Sequence, residues 1–367
     1  NKEVDRAVLK VINNGNMSSL NNQEEVLLAE KLVEMHPWAD MVRHVRTGAE
    51  SNSLAIRLAR AYTGKNKIAV CGYHGWQDWY LAANLKKKNN LDEHFIKGIG
   101  SVGVQKDLKN TIYKFSYNDL NSLKKILEKD SDISAIVMEV KRNDEPKNNF
   151  LKKVKKLANK NNINLIFDEC TSGFRSRLGG LHLNYGVTPD ICLFGKALGN
   201  GYPINAVIGK RDIMKNSDKT FISSTFWSER LGPSAALKTI QIMERDKVHS
   251  KIKIFDKKVR LVWKKLSELH NIDVTIEGML GIPSLRFNYK NNLAFKTYLT
   301  QEMLKQNILA TNSIYLSYVH HEKLLNKYSG ILDQVFSNIK KCVNQQININ
   351  EILEVPVSNI GLRQNYK

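Results

Sequence analysis

Along this chain, short continuous apolar runs alternate with longer segments in which apolar residues recur every three or four positions. Leu165-Ile166-Phe167 runs into Asp168-Glu169. Ile191-Cys192-Leu193-Phe194 runs into Gly195-Lys196 and then a glycine-rich turn ending at Tyr202-Pro203. Short apolar runs closed by turn residues read as strands of a parallel sheet, buried on both faces. Met41–Val45, Lys67–Cys71, 133–139 and Asn205–Gly209 read as further strands. Helical spacing marks residues 3–14, a segment capped by Asn21 or Asn22 that runs to about Met35, and a long stretch through Leu54, Ile56, Leu58 and Tyr62. It also marks the lysine-rich 118–130 and the crossover segment 148–161. Residues 84–115, polar and carrying Gly98, Gly100 and Gly103, read as an excursion over the sheet edge. From about Asp246 a long helix leads into a C-terminal region with Ile282-Pro-Ser-Leu-Arg-Phe287 and a helix near 294–306. The alternation of strand and helix predicts an α/β fold.

In open α/β sheets ligands sit beyond the carboxyl ends of the strands, which sends Asp168 and Lys196 into one crevice. A buried carboxylate near a strand-end lysine suits a cofactor that needs both a protonated ring nitrogen and a Schiff base, as pyridoxal phosphate does. Taken singly, each feature has a bland reading: Asp-Glu as a helix cap, Gly-Lys as a surface turn. Upstream, Met41–Val45 is followed by Arg46-Thr47-Gly48-Ala49-Glu50 and then a helix. Strand, glycine turn and helix start make a phosphate cradle, in which free backbone N–H groups and the helix dipole face an anion.

The joint pattern Asp168-Glu-x-x-x-Gly-Phe-Arg175, then Thr188-Pro-Asp190 and Phe194-Gly-Lys196-Ala-Leu-Gly-Asn-Gly-Tyr-Pro203, resembles the class III (ω-type) aminotransferases of PLP fold type I. Within them it looks most like the glutamate-1-semialdehyde aminomutase branch. The likeness extends from about Glu3 to about residue 342. It implies a large, mostly parallel sheet domain over 37–255. A smaller α+β domain would be built from both chain ends, 1–36 and 256–345, with 346–367 as a tail that matches nothing. In the family a preceding N-terminal segment lines part of the substrate pocket.

The resemblance also implies roles. Lys196 would carry the cofactor and act as acid/base, and Asp168 would hold the ring-nitrogen proton. Gly48 and Ala49 would bind phosphate through backbone N–H, Tyr73 would stack on the ring, and His74 would support the cofactor site. Cys170, where the family has an aliphatic residue, would pack the other ring face as a small hydrophobe. Thr225 would reach the phosphate of the neighbouring subunit, which implies a homodimer with active sites at the interface. Three departures stand out. Ala49 replaces a usual hydroxyl, at a cost of about 1.5–3 kcal/mol for a bond to a charged acceptor. Glu139 lacks the proline that usually follows it, and Trp227-Ser-Glu229-Arg230 replaces Gly-Asn-Pro. Glu139, Arg142 and Glu229 are the candidate substrate contacts. The expected reaction moves an amino group from an amino-acid donor, L-glutamate first, to a small carbonyl or keto-sugar acceptor. The aminomutase and a non-catalytic binding protein are the alternatives.

Composition narrows this further. With 367 residues and 42% hydrophobic content the chain can bury a large core. The formal charge of +20 raises nucleic-acid binding. Yet the lysines are scattered beside asparagines, as in Lys86-Lys-Lys-Asn-Asn90, and no basic stretch interleaves with aromatics. Solvated helix faces are the better reading, and no nucleic-acid partner is expected. No apolar run is long enough to span a membrane. Cys71, Cys170, Cys192 and Cys342 show no metal-ligand spacing, so reduced thiols in a cytoplasm and no metal are expected.

Overall fold

A computed structural model describes residues 1–87, 90–92 and 98–358. Its contacts divide the chain into two compact units: Asn1–Lys141 with Glu145–Lys247, and Arg142–Asp144 with the chain from Val248 on. Residues 1–36 group with the first of these.

The first unit contains α1 (Lys2–Asn13), α2 (Gln23–Met35), β1 (Met41–Val45), α3 (Gly48–Thr63), β2 (Lys67–Cys71), α4 (Asp78–Leu81), β3 (Ile112–Lys114) and α5 (Leu120–Lys129). It continues with β4 (Ile133–Met138), α6 (Phe150–Lys160), β5 (Asn164–Glu169), β6 (Ile191–Phe194), β7 (Asn205–Gly209), α7 (Arg211–Met214) and α8 (Leu231–Asp246). Seven strands form one sheet in the order β1-β7-β6-β5-β4-β2-β3. Only β7 runs against its neighbours, and the other pairs are parallel. The apolar runs of β2, β4, β5, β6 and β7 are therefore strands buried on both faces, as expected, whereas β1 at the sheet edge is buried only at Val45. The expected excursion over 84–115 contains an edge strand, β3. Three residues, two of them half-exposed, leave no apolar run to see in the sequence.

Side chains alternate across a strand, and this decides the site. Ile166 on β5 and Cys170 just beyond it join a core with Leu54, Ala55 and Leu58 of α3, so Asp168 between them faces α3 as well. Glu169 faces the opposite way and is fully buried. Its oxygens accept Leu181 N–H at 2.6 Å, His182 N–H at 2.9 Å, His182 Nδ1–H at 2.7 Å and Ser172 Oγ–H at 2.8 Å. Trp38 Nε1 donates to His182 Nε2 at 3.0 Å, which fixes that ring's proton on Nδ1. Glu169, His182 and Cys192 lie close enough to suggest metal ligands. However, the imidazole nitrogens are both committed, and burial pushes the Cys192 thiol well up, so hydrogen bonding accounts for the cluster. At the other end of β6, Asp190 accepts Lys155 Nζ, Lys210 Nζ and Leu165 N–H at 2.6–2.8 Å and pins two strands together.

The second unit contains α9 (Val248–Leu269), β8 (Val274–Glu277), β9 (Ser284–Phe287), α10 (Asn292–Lys305), α11 (Glu322–Val343) and α12 (Ile349–Ile352). The strands β8 and β9 form an antiparallel hairpin, and Phe287 packs edge-on to Phe295 and Phe336. Arg260 clasps the hairpin turn, pairing with Asp256 at 2.6 Å and donating to the carbonyls of Glu277, Gly278 and Met279. Part of the tail is tied down: Gln301 exchanges hydrogen bonds with Ile352 and Glu354. Among the described residues no helix is long and apolar enough to cross a membrane.

Glu169→Ala leaves four buried donors without their acceptor. We expect a loss of about 3–5 kcal/mol in urea unfolding followed by far-UV circular dichroism; a loss below about 1 kcal/mol would show that the 172–182 segment does not depend on this carboxylate.

Candidate active site

The helix α3 starts with a capping box. Thr47 Oγ1 accepts Glu50 N–H at 3.2 Å, and Glu50 Oε2 accepts Thr47 N–H at 2.9 Å and Arg46 N–H at 2.8 Å. The reciprocal bonds satisfy donors on either side of the first turn. Gly48 and Ala49 N–H make no hydrogen bond among the described residues, which leaves two convergent donors at a helix N-terminus.

Asp168 ends β5 and is almost wholly buried. Its Oδ2 accepts His74 Nδ1–H at 2.9 Å and Asn52 Nδ2–H at 2.9 Å, and its Oδ1 accepts Cys170 N–H at 3.1 Å. Burial alone would raise the carboxyl; the bond and charge of His74, then the bonds from Asn52 and the Cys170 amide, outweigh it and hold Asp168 at about 2. His74 is itself buried, with Nε2 toward the Cys71 carbonyl at 3.3 Å. Asn52 Nδ2 also donates to the Gly48 carbonyl at 2.9 Å, so one amide ties the carboxylate to the start of α3.

Lys196 follows β6 by two residues, and Glu169 pairs with Phe194 in the parallel register. The lysine backbone is left-handed, φ +45°, a conformation that costs a non-glycine residue about 1–3 kcal/mol. Its Nζ donates to Thr171 Oγ1 at 2.6 Å, and Arg175 Nε braces Thr171 through its carbonyl at 2.7 Å. A Cβ on Gly195 would fall 2.4 Å from the Asn205 amide, so any side chain there would displace Asn205. Asn205 Nδ2 in turn donates to Cys170 Sγ at 3.2 Å. Burial pushes the Cys170 thiol far up, which keeps it a neutral packing group.

Tyr73 is half-buried and edge-on to Tyr80, with ring centroids 6.1 Å apart. Its backbone N–H donates to Glu139 Oε2 at 3.2 Å. Glu139, just past β4, is buried against Gly72, whose φ of +114° and lack of Cβ admit the carboxylate at close range. Glu139 thus orders the loop that carries Tyr73 and His74. Thr225 is exposed in a 3₁₀ turn, Thr225–Ser228. Glu229 has its oxygens on the first amides of α8, Leu231 at 2.7 Å and Gly232 at 3.0 Å, and pairs with Arg46; these bonds give it a structural task. Arg142 groups with the second unit.

The structure thus brings Asp168, His74, Cys170 and Gly48 into one connected network and adds residues that sequence reasoning missed. Asn52 had a readable signal, a polar residue one turn before Ala55 and Ile56 on the apolar face of α3. Thr171, Asn205 and Arg46 had none, since their partners are distant in the chain.

The family model described as Aminotransferase class-III matches residues 1–302. The chain is 36% identical to the 3-aminobutyryl-CoA aminotransferase of Cloacimonas acidaminovorans, over 92% of this chain and 81% of that protein. It is 32% identical to the glutamate-1-semialdehyde 2,1-aminomutase of Ignicoccus hospitalis, over 91% of this chain and 83% of the relative. Among solved structures, the PLP internal aldimine form of the Sphingopyxis sp. MTA144 FumI protein superposes with a TM-score of 0.83 at 21% identity, covering 96% of this chain and 83% of that one. An omega-transaminase from Sphaerobacter thermophilus gives 0.81 at 20% identity, covering 92% and 83%. These likenesses show the fold.

An Asp held at about 2 against an ordinary 3.8 adds stability that is complete above about pH 4 and lost as pH falls through about 2. We expect the unfolding free energy of the cofactor-free protein to drop by about 2 kcal/mol across that window beyond any drop in Asp168→Asn. Equal slopes in chemical denaturation at several acid pH values would refute the depressed carboxyl.

Proposed function

The chain belongs to the class-III aminotransferase family, as a pyridoxal-phosphate-dependent aminotransferase or closely related aminomutase, and we propose that it transfers the amino group of an amino-acid donor, L-glutamate, to a small carbonyl or keto-sugar acceptor in two half-reactions. One arrangement carries this reading: Asp168 and Lys196 leave neighbouring parallel strands at their carboxyl ends, the first buried and held ionised, the second with its amine held by Thr171.

The residues fit pyridoxal phosphate. Two backbone N–H groups at the start of α3 suit a phosphate. Among the described residues Asp168 Oδ1 accepts one donor, the Cys170 amide, and retains a lone pair for a protonated ring nitrogen. Bound there, the cofactor supplies an electron sink and an aldehyde to which an amine can attach. In our reading Lys196 would hold that aldehyde and, once displaced by substrate, would act as the acid/base that carries a proton from the substrate Cα to the carbon of that aldehyde. Asp168 keeps the proton on the ring nitrogen, and His74 and Asn52 keep Asp168 in place. Gly48 and Ala49 bind phosphate through N–H, Tyr73 covers one ring face, and Cys170 packs the other. Thr225 serves the phosphate of a second subunit in a homodimer. Glu139 is our candidate for substrate contact, while Glu229 acts through the turn it caps.

A second reading, the aminomutase, is favoured by the 32% identical relative of that name; it consumes no external donor. The 36% identical relative adds 3-aminobutyryl-CoA to the donors worth testing.

Purified protein should show a visible cofactor band, absent in Lys196→Ala, that L-glutamate alone converts to the pyridoxamine form. A band that glutamate leaves unmoved would remove the glutamate-donor reading and favour the aminomutase or another donor. Asp168→Asn, still folded, should lower kcat by about 10² or more; a change under about threefold would take the ring-nitrogen role away from this residue.

A further inference from the structure

We propose that Arg46 is a positioning residue: together with the α1–α2 connection it clamps the back of the turn whose free end presents Thr225, and so sets that hydroxyl for phosphate. The inference rests on the reading that Thr225 binds phosphate.

Every residue from 227 to 230 is held from one side of this unit. Arg46 Nη2 donates to the carbonyls of Trp227 at 2.9 Å and Glu229 at 3.0 Å, and Arg46 Nε lies 3.1 Å from Glu229 Oε1. Both side chains are 9% exposed. Asn22 Nδ2 donates to the Ser228 carbonyl at 3.1 Å, and Met17 bridges Glu229 through the backbone. Arg230 donates through its backbone N–H to the Asn16 carbonyl at 3.1 Å, through Nη1 to the Gly15 carbonyl at 2.7 Å, and through its fork to both Glu24 oxygens at 2.8–3.0 Å. Thr225 and Phe226 stay exposed. A turn fixed along one edge and open along the other holds its exposed residues at a set height and angle.

The chemistry selects arginine. A planar guanidinium can reach two carbonyls and a carboxylate at once, whereas an ammonium offers a single point charge. Arg46 is also two residues before Gly48, and its own N–H is held by the Glu50 carboxylate of the capping box. One residue therefore fixes the Thr225 turn relative to the amides at the start of α3. Thr225 and those amides would then keep a constant relation, whichever subunit's phosphate each serves.

The experiment is a double-mutant cycle read as the dissociation constant of pyridoxal phosphate, from its absorbance on titration into cofactor-free protein. The set is wild type, Arg46→Lys, Thr225→Ala and the double variant. Arg46→Lys keeps the charge toward Glu229 and loses the fork. We expect each single variant to weaken binding about tenfold and the double variant to bind no worse than Thr225→Ala. Arg46→Lys binding as wild type does, or losses that multiply in the double variant, would overturn the positioning role and leave the phosphate reading standing. Wild-type affinity in Thr225→Ala would overturn the phosphate reading and this inference with it. If Arg46→Lys fails to fold, Glu24→Gln loosens the same clamp from the half-buried Arg230 side, and a loss of affinity that Thr225→Ala abolishes is again the supporting result; a loss that persists in that background is the refuting one.

Discussion

A carboxylate held out of water at the end of a strand is costly unless donors surround it, and much of the first unit is arranged around meeting that need at Asp168. Its three donors come from different segments: Asn52 from α3, His74 from the loop after β2, and the amide of Cys170 from the chain just beyond β5. Moving any of them leaves a buried charge undersupplied. The position of α3 over the sheet and the path of the 72–75 loop are thus coupled to one ionised group. The same helix offers its free amides at the adjacent end, so the groups suited to the two ends of the cofactor, ring nitrogen and phosphate, are referenced to a single rigid element.

On the reverse face of β5 the neighbouring carboxylate solves the same problem with other donors. Glu169 gathers the 172–182 segment, and Trp38 orients the histidine that contacts it. Consecutive acidic residues on one strand therefore face in opposite directions, one toward α3 and the 72–75 loop and one toward the 172–182 segment. Strain is concentrated between these supports. Lys196 keeps a left-handed backbone, and Gly195 and Gly72 pass where a Cβ would meet a side chain. Such geometry persists only because the surroundings over-determine it.

The turn at 225–230 is where this chain departs most visibly from the pattern it otherwise follows, and it is also a segment wired through long-range contacts. The replacement residues are not idle: Glu229 caps α8 and pairs with Arg46, and Arg230 reaches Glu24 and the α1–α2 connection. A change of local sequence has been absorbed by partners some two hundred positions away.

Local pattern was enough to place β4, β5, β6, the start of α3, a cap at Asn21 or Asn22 and the strand-end positions of Asp168 and Lys196, because burial periodicity, capping and glycine turns act over a few residues. Ile166, Asp168 and Cys170 could even be assigned to one face from the period of two alone. Which donors would surround Asp168 was not written locally, since Asn52 lies 116 residues away and His74 lies 94 away. The same holds for the short edge strand β3, for Thr171 beneath Lys196, and for the Arg46–Glu229 pair. Their partners are chosen by how α3, the sheet and the N-terminal helices stack, and a pairing that depends on the meeting of distant surfaces exists only once those surfaces have met.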